Sequence, residues 1–108
     1  VETMHERKAK MYDLSDGIIS LPGGFGTMDE MFEFLTWGQL AIHRKPTGLL
    51  NIDGYYDSLL DFIYTAIDKG FVKEKYRSML LVSDSVEELL QQMKDYVPSA
   101  NDKWFVTK

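Results

Sequence analysis

Gly17-Ile18-Ile19-Ser20-Leu21, followed by Pro22-Gly23-Gly24-Phe25-Gly26-Thr27-Met28-Asp29-Glu30, is the stretch that decides the fold. The first five residues are an apolar run without polar alternation, the pattern of a short strand covered on both faces of a parallel sheet. A glycine-rich turn follows, and a helical pattern then continues to about Ile42. Strand, glycine turn and helix N-terminus in that order make an anion site. The glycines let the backbone approach a phosphate, and the unpaired amides of the first helical turn point at it. Glu30 adds a carboxylate one helical turn further on. The stretch therefore predicts a phosphorylated small-molecule ligand and an acid–base or charge-stabilising step.

Outward from this centre, short apolar segments alternate with amphipathic ones. Residues Glu2 to Asp13 read as a helix with Met4, Arg7, Lys8 and Met11 on one stripe. The helix after the glycine turn covers Met28 to Ile42. Thr47 to Ile52 is a second strand, and a helix from Tyr55 to Lys69 stops at Gly70. Ser78 to Ser83 is a third strand, after which Asp84 or Ser85 caps a helix running to Tyr96. No element is assigned to the tail, residues 97–108. Strands alternating with helices predict parallel βα units, whose ligands bind beyond the carboxyl ends of the strands. The expected fold class is α/β, a parallel sheet with flanking helices, in one domain over residues 1–108.

The helix at residues 28–42 is apolar around most of its circumference: Met31, Phe32, Phe34, Leu35, Trp37, Leu40, Ala41 and Ile42. One face can pack on a sheet, and a subunit interface is the simplest partner for the rest. Its polar character lies along Glu30, Glu33 and Thr36, a stripe that borders a cleft. The formal net charge of −5 argues against a nucleic-acid binder. There is no cysteine, which excludes disulfides, zinc–thiolate sites and thiol nucleophiles and fits a cytoplasmic location. No apolar run approaches the roughly 20 residues of a membrane span. The chain opens on Val1 rather than methionine and is read as a fragment or processed piece.

Each singled-out residue has a plainer reading beside the functional one. The turn lacks the Lys-Ser/Thr of a P-loop, and Asp29 stands where a dinucleotide fingerprint has its third glycine. Thr27-Met28-Asp29-Glu30 matches a capping box, in which Thr27 and Glu30 satisfy helix amides and need no further role. Arg7 and Lys8 share the stripe of Met4 and Met11. Either their stems pack while the charges reach water, or the helix overhangs an anionic ligand. His5 and His43 are isolated, surface or satisfied polar groups. Tyr55, Tyr56, Phe62 and Tyr64 read as core and rim, and no metal-ligand spacing occurs.

Together, Met4-His5-Glu6-Arg7-Lys8 and Leu21-Pro22-Gly23-Gly24-Phe25-Gly26-Thr27-Met28-Asp29-Glu30 resemble the Lonely Guy family. These are cytokinin riboside 5′-monophosphate phosphoribohydrolases, also labelled lysine decarboxylase-like. The likeness continues through Trp37-Gly38-Gln39, Lys45-Pro46 and Asn51 to Tyr56, and covers residues 4 to 96. It implies a Rossmann-like fold and a dimer with active sites near the interface. By the resemblance Arg7 and Glu30 are the catalytic pair. Gly24, Gly26 and Thr27 hold the 5′-phosphate, Gly23 and Phe25 are further substrate-binding residues, and Lys8 and Thr36 line the substrate. The family has an N-terminal half with further strands and another glycine-rich segment that this sequence lacks. Without it the strand at Gly17 to Leu21 is an exposed edge.

The implied reaction is hydrolysis of the N-glycosidic bond of an N6-modified adenosine 5′-monophosphate, without metal or organic cofactor. It is expected of the full-length protein, whereas activity of the fragment itself is left open. The rival readings are a nucleotide- or cofactor-binding module without turnover, a pyridoxal-phosphate decarboxylase, and a mere folding unit.

Overall fold

Three parallel strands form one sheet in the order β1-β2-β3, with four α-helices around it, in a computed structural model that describes residues 3–97. In chain order these are α1 (Met4–Leu14), β1 (Ile18–Ser20), α2 (Phe25–Gln39), β2 (Thr47–Leu50), α3 (Asp57–Asp68), β3 (Leu80–Ser83) and α4 (Val86–Lys94). Short 3-10 segments at Ile52–Gly54 and Glu74–Met79 precede α3 and β3. The expected α/β class is what the chain adopts, as befits part of a Rossmann-like fold. The tail at 98–108, the residue Glu2 and the side chain of His5 lie outside what is described.

The central strand explains the layering. All four residues of β2 are buried, and its side chains alternate between faces. Leu49 packs with Met31 of α2 and with Tyr56 and Leu60 at the start of α3. Gly48 turns to the opposite face, where an added Cβ would lie 3.0 Å from the sulfur of Met93 and 3.1 Å from Leu89, both on α4. The missing side chain thus lets α4 lie close on one face while α2 and α3 cover the other. Met31, Phe34, Leu49 and Leu89 have no exposed surface, and each contributes about 1.5–3 kcal/mol of burial. β1 is an edge of the sheet and pairs only with β2, Ile18 opposite Thr47 and Ser20 opposite Leu49.

α1 shows the face that the sequence stripe misassigned. Tyr12 is its buried residue, edge-on to the rings of Phe34 and Trp37 at 5.0 and 5.1 Å, while Arg7 and Met11 are exposed. Lys8, one turn before Tyr12, completes the inward face. A capping box starts this helix: Thr3 Oγ1 accepts from the Glu6 amide and Glu6 Oε1 from the Thr3 amide, both at 3.0 Å. At its other end the Lys45 ammonium donates to the carbonyls of Tyr12 and Asp13 at 2.7 and 3.0 Å. A cation there satisfies orphan carbonyls and opposes the negative end of the helix dipole.

The third strand begins at Leu80 rather than Ser78, because residues 74–79 wind into the 3-10 segment. Positions i and i+3 eclipse in that geometry, which sets Arg77 against Glu74 at 2.7 Å. α4 takes Ser85 as its cap, with Oγ accepting from Glu88, and ends at Lys94, two residues short of Tyr96.

α2 and α3 end in the same way with different residues. After α3, Gly70 adopts φ 86°, its amide donates to Ile67, and the Phe71 amide reaches back to Ala66 at 2.9 Å. After α2 the corresponding residue is Ala41 at φ 61°, with Ala41 to Gly38 and Ile42 to Trp37 completing the pattern. This is the Schellman closure, which prefers glycine because a Cβ is strained in the left-handed region. It also explains why α2 stops at Gln39 and not Ile42. Ala41→Gly is therefore expected to raise stability by about 0.5–1 kcal/mol, and Gly70→Ala to lower it by about 1 kcal/mol. No atom lies within 4 Å of a Cβ at Gly70, so its loss reports backbone strain alone. Equal melting temperatures for Ala41→Gly and the parent would refute the assignment.

Candidate active site

The glycine turn leaves the carboxyl end of β1 and enters α2 directly. α2 starts at Phe25 with Gly24 as its N-cap, and no side chain caps it. Thr27 is thus the third residue of the helix, and the expected capping box of Thr27 with Glu30 does not form. The reason is packing: the Thr27 hydroxyl lies against Gly23, where an added Cβ would collide with Thr27 Oγ1 and stand 3.1 Å from Thr27 Cβ. Among the described residues nothing accepts from the amides of Phe25, Gly26 or Thr27. A Cβ at Gly24 or Gly26 would meet no atom within 4 Å, and the Phe25 side chain is 96% exposed. The first turn of α2 therefore presents free donors to open space, the arrangement that suits an anion.

Two phenols hold this turn from below. Tyr56 donates to the Leu21 carbonyl at 2.5 Å, and Tyr55 donates to the Gly23 carbonyl at 2.6 Å. Asn51 positions them: its side-chain oxygen accepts from the Tyr56 amide at 2.7 Å while its nitrogen donates to Asp57 at 2.9 Å. Burial pushes the Tyr56 phenol above its ordinary value, so it remains a donor.

The candidate catalytic pair lies on two touching helices. Lys8 of α1 reaches Asp29 of α2 at 2.8 Å and Glu33 at 3.5 Å, and the Tyr12 hydroxyl donates to Glu33 at 3.0 Å. The hydrogen bond to Asp29, opposed by burial, holds the Lys8 ammonium above its usual range. Burial, then the bond to Glu33, does the same for the Tyr12 phenol. Arg7 is next to Lys8 in sequence and Glu30 is next to Asp29, so this bridge brings their helical turns together. Both Arg7 and Glu30 are exposed, and neither side chain has a partner among the described residues. Lys8, in contrast, is committed to α2.

Thr36 lies nine residues beyond Thr27, about 13 Å along the helix axis at 1.5 Å per residue. Its hydroxyl donates to the Phe32 carbonyl at 2.7 Å. Thr36 and Glu33 share an open depression of about 470 Å³ with Phe25, Asp29 and Trp37, and Glu30 is not among its lining residues. His43 is a satisfied polar group: its Nε2 meets the Phe34 carbonyl at 2.8 Å, and its Nδ1 accepts from the Lys45 amide at 3.1 Å. Burial lowers its pKa, which keeps the ring neutral and stacked on Phe34. Among the described residues no cluster of three or more His, Cys, Asp or Glu is disposed to hold a metal.

Sequence reasoning missed the roles of Tyr12, Asp29, Tyr55 and Tyr56. Their partners stand 21 to 35 residues away, and no local spacing announces such bonds. A glycine turn at the carboxyl end of a parallel strand, opening onto uncapped helix amides, is the central feature of this α/β protein. The chain belongs to the family described as possible lysine decarboxylase, whose model it matches over residues 1–93. It is 51% identical over 108 residues to cytokinin riboside 5′-monophosphate phosphoribohydrolase LOG2 of Arabidopsis thaliana, covering 100% of this chain and 50% of the relative. The LOG1 protein of the same plant is 50% identical over 98 residues, 91% of this chain and 46% of the relative. Rice (Oryza sativa subsp. japonica) LOG, with the same enzyme name, is 48% identical over 98 residues, 91% and 40% of the two chains. The chain thus spans about half the length, or less, of the curated relatives it matches.

Proposed function

We propose that the whole protein hydrolyses the N-glycosidic bond of N6-modified adenosine 5′-monophosphates, releasing free base and ribose 5-phosphate. The observation that carries this is the pairing on α2 of open N-terminal amides with an unengaged carboxylate, Glu30, three residues after Thr27. The names of the relatives, all of them phosphoribohydrolases of cytokinin riboside 5′-monophosphate, support the same substrate class. In this reading the amides from Gly24 to Thr27 take the 5′-phosphate, which fixes the sugar near Glu30. Positive charge develops on the ribose as the base leaves. The Glu30 carboxylate stabilises that charge or takes a proton from the attacking water, and Arg7 anchors and polarises the substrate. Lys8 sets α1 on α2, and Thr36 stands further along the same helix, toward the base. No cofactor takes part.

The test is incubation of the whole protein with an N6-prenylated adenosine monophosphate, followed by separation of products. Equimolar free base and ribose 5-phosphate are expected. Tight binding with no release of base would select a non-catalytic nucleotide-binding module instead. A lysine Schiff-base mechanism is disfavoured, since Lys8 and Lys45 both serve as charged donors to α2 and α1. We also propose a cytoplasmic homodimer paired through residues 28–42. Leu40 and Ile42 are 49% and 62% exposed there, and Phe32, about two turns earlier on α2, is exposed too. Sedimentation of the whole protein as a monomer would remove the dimer. Among the described residues no helix is long and apolar enough to cross a membrane, and the net charge of −5 opposes nucleic-acid binding.

A further inference from the structure

We infer that Tyr55 and Tyr56 are positioning residues that aim the amides of the glycine turn, and so set the protein's selectivity for a phosphorylated over an unphosphorylated nucleoside. The inference rests on the phosphate seat proposed above.

The geometry begins with the peptide unit. In a trans peptide the carbonyl and the following N–H point in opposite directions, and all peptide bonds among the described residues are trans. The Tyr55 hydroxyl holds the Gly23 carbonyl at 2.6 Å. The Gly24 N–H of that same unit is thereby turned away from Tyr55, at a residue that is itself exposed. The Tyr56 hydroxyl holds the Leu21 carbonyl at 2.5 Å. Pro22 follows Leu21 and has no N–H, so that carbonyl is the only hydrogen-bonding group of its peptide unit. Holding it fixes where β1 ends and where the glycine pair begins.

Glycine pairs are the most permissive backbone in a chain, and left alone would sample many orientations. Two donors on consecutive residues, locked in a T-shaped ring pair at 4.8 Å, remove that freedom. Their own placement is fixed by Asn51, whose amide donates to the Ser83 carbonyl at 2.8 Å, so the latch reaches back through β2 to β3. Donors aligned before the ligand arrives bind it with less lost entropy. An unphosphorylated nucleoside makes no use of them.

The experiment titrates the whole protein and its Tyr55→Phe and Tyr56→Phe variants with adenosine 5′-monophosphate and with adenosine, following backbone amides by nitrogen-15 NMR. In the parent, the monophosphate is expected to shift the Gly24 and Gly26 amides. In Tyr55→Phe, a variant of a half-exposed ring that keeps its packing, the monophosphate dissociation constant is expected to rise about tenfold. Adenosine affinity is expected to stay unchanged, a selectivity that general loss of stability would not produce. Tyr56→Phe, whose ring is buried, is expected to show the same selective loss with a lower melting temperature. Parent-like monophosphate affinity in Tyr55→Phe, or equal losses for both ligands, would overturn the inference and leave the phosphate seat intact. A parent protein whose turn amides do not respond to the monophosphate would overturn the seat and the inference with it.

Discussion

Glu30→Gln in the whole protein is expected to lower kcat by about 10²–10⁴-fold, the range for removing a positioned acid–base group. The substitution keeps the shape of the side chain and removes its charge and basicity. Glu30 is exposed and makes no hydrogen bond or ion pair among the described residues, its charge acting on the Tyr12 phenol through space as a minor influence. Surface changes of that kind stay within about 0.5 kcal/mol, and the melting temperature is expected to match the parent. KM for the monophosphate is expected to move little, because the proposed phosphate seat is Gly24 to Thr27 and not a carboxylate. Loss confined to kcat marks an interaction made only as the bond breaks. Steady-state assays of base release across substrate concentrations check both numbers. Turnover at the parent rate would remove Glu30 from the chemistry and return it to the helix surface.

The structure sharpens that expectation by removing the competing role. Read locally, Thr27-Met28-Asp29-Glu30 and Thr3-Met4-His5-Glu6 carry the same capping pattern. Only the second one forms a capping box. Local sequence does not separate them. What decides is the contact of the Thr27 hydroxyl with Gly23, together with the phenols that fix the turn, and both are tertiary. The alternation of apolar runs was enough to read three strands and four helices, because burial imposes those periods directly. Boundaries fared worse wherever a backbone device ended an element. A glycine entry moved the start of α2 from Met28 to Phe25, and a left-handed Ala41 moved its end to Gln39.

The candidate site was legible to different depths. Gly23, Gly24 and Gly26 stood out in the sequence as a glycine-rich turn between a strand and a helix, although the need for Gly23 comes from Thr27 packed against it. Glu30 was legible as a carboxylate near the turn and Arg7 as a basic residue that either reaches water or overhangs an anion, whereas their pairing as catalytic residues came from the resemblance to the family to which the chain belongs. Nothing in the spacing revealed that Lys8 bridges to Asp29 across 21 residues, or that Tyr12 and not Met11 turns inward. Those facts arise from how α1 docks on α2. They matter for the site, because the bridge fixes how the helix carrying Arg7 sits against the helix carrying Glu30.

Gly26→Ala is expected to make the protein more stable and less able to bind its ligand, and the opposite signs separate the fold from the site. Gly26 is the second residue of α2, in helical backbone with nothing within 4 Å of an added Cβ. Alanine there costs no packing and restricts the unfolded chain, a gain of about 0.5–1 kcal/mol over glycine in a helix. In the proposed phosphate seat, the same methyl group crowds a phosphate at the open amides of Phe25, Gly26 and Thr27. A phosphate kept from those donors loses charge-assisted bonds worth about 1.5–3 kcal/mol each. Losing one to two of them raises the dissociation constant for adenosine 5′-monophosphate on the order of a hundredfold. Gly23→Ala makes the contrast: its Cβ collides with Thr27 Oγ1, so stability and binding are expected to fall together. Thermal melts and ligand titration on the two variants read both quantities. If Gly26→Ala melts higher and still binds the monophosphate as the parent does, the phosphate does not sit on this turn, and the open amides serve something else.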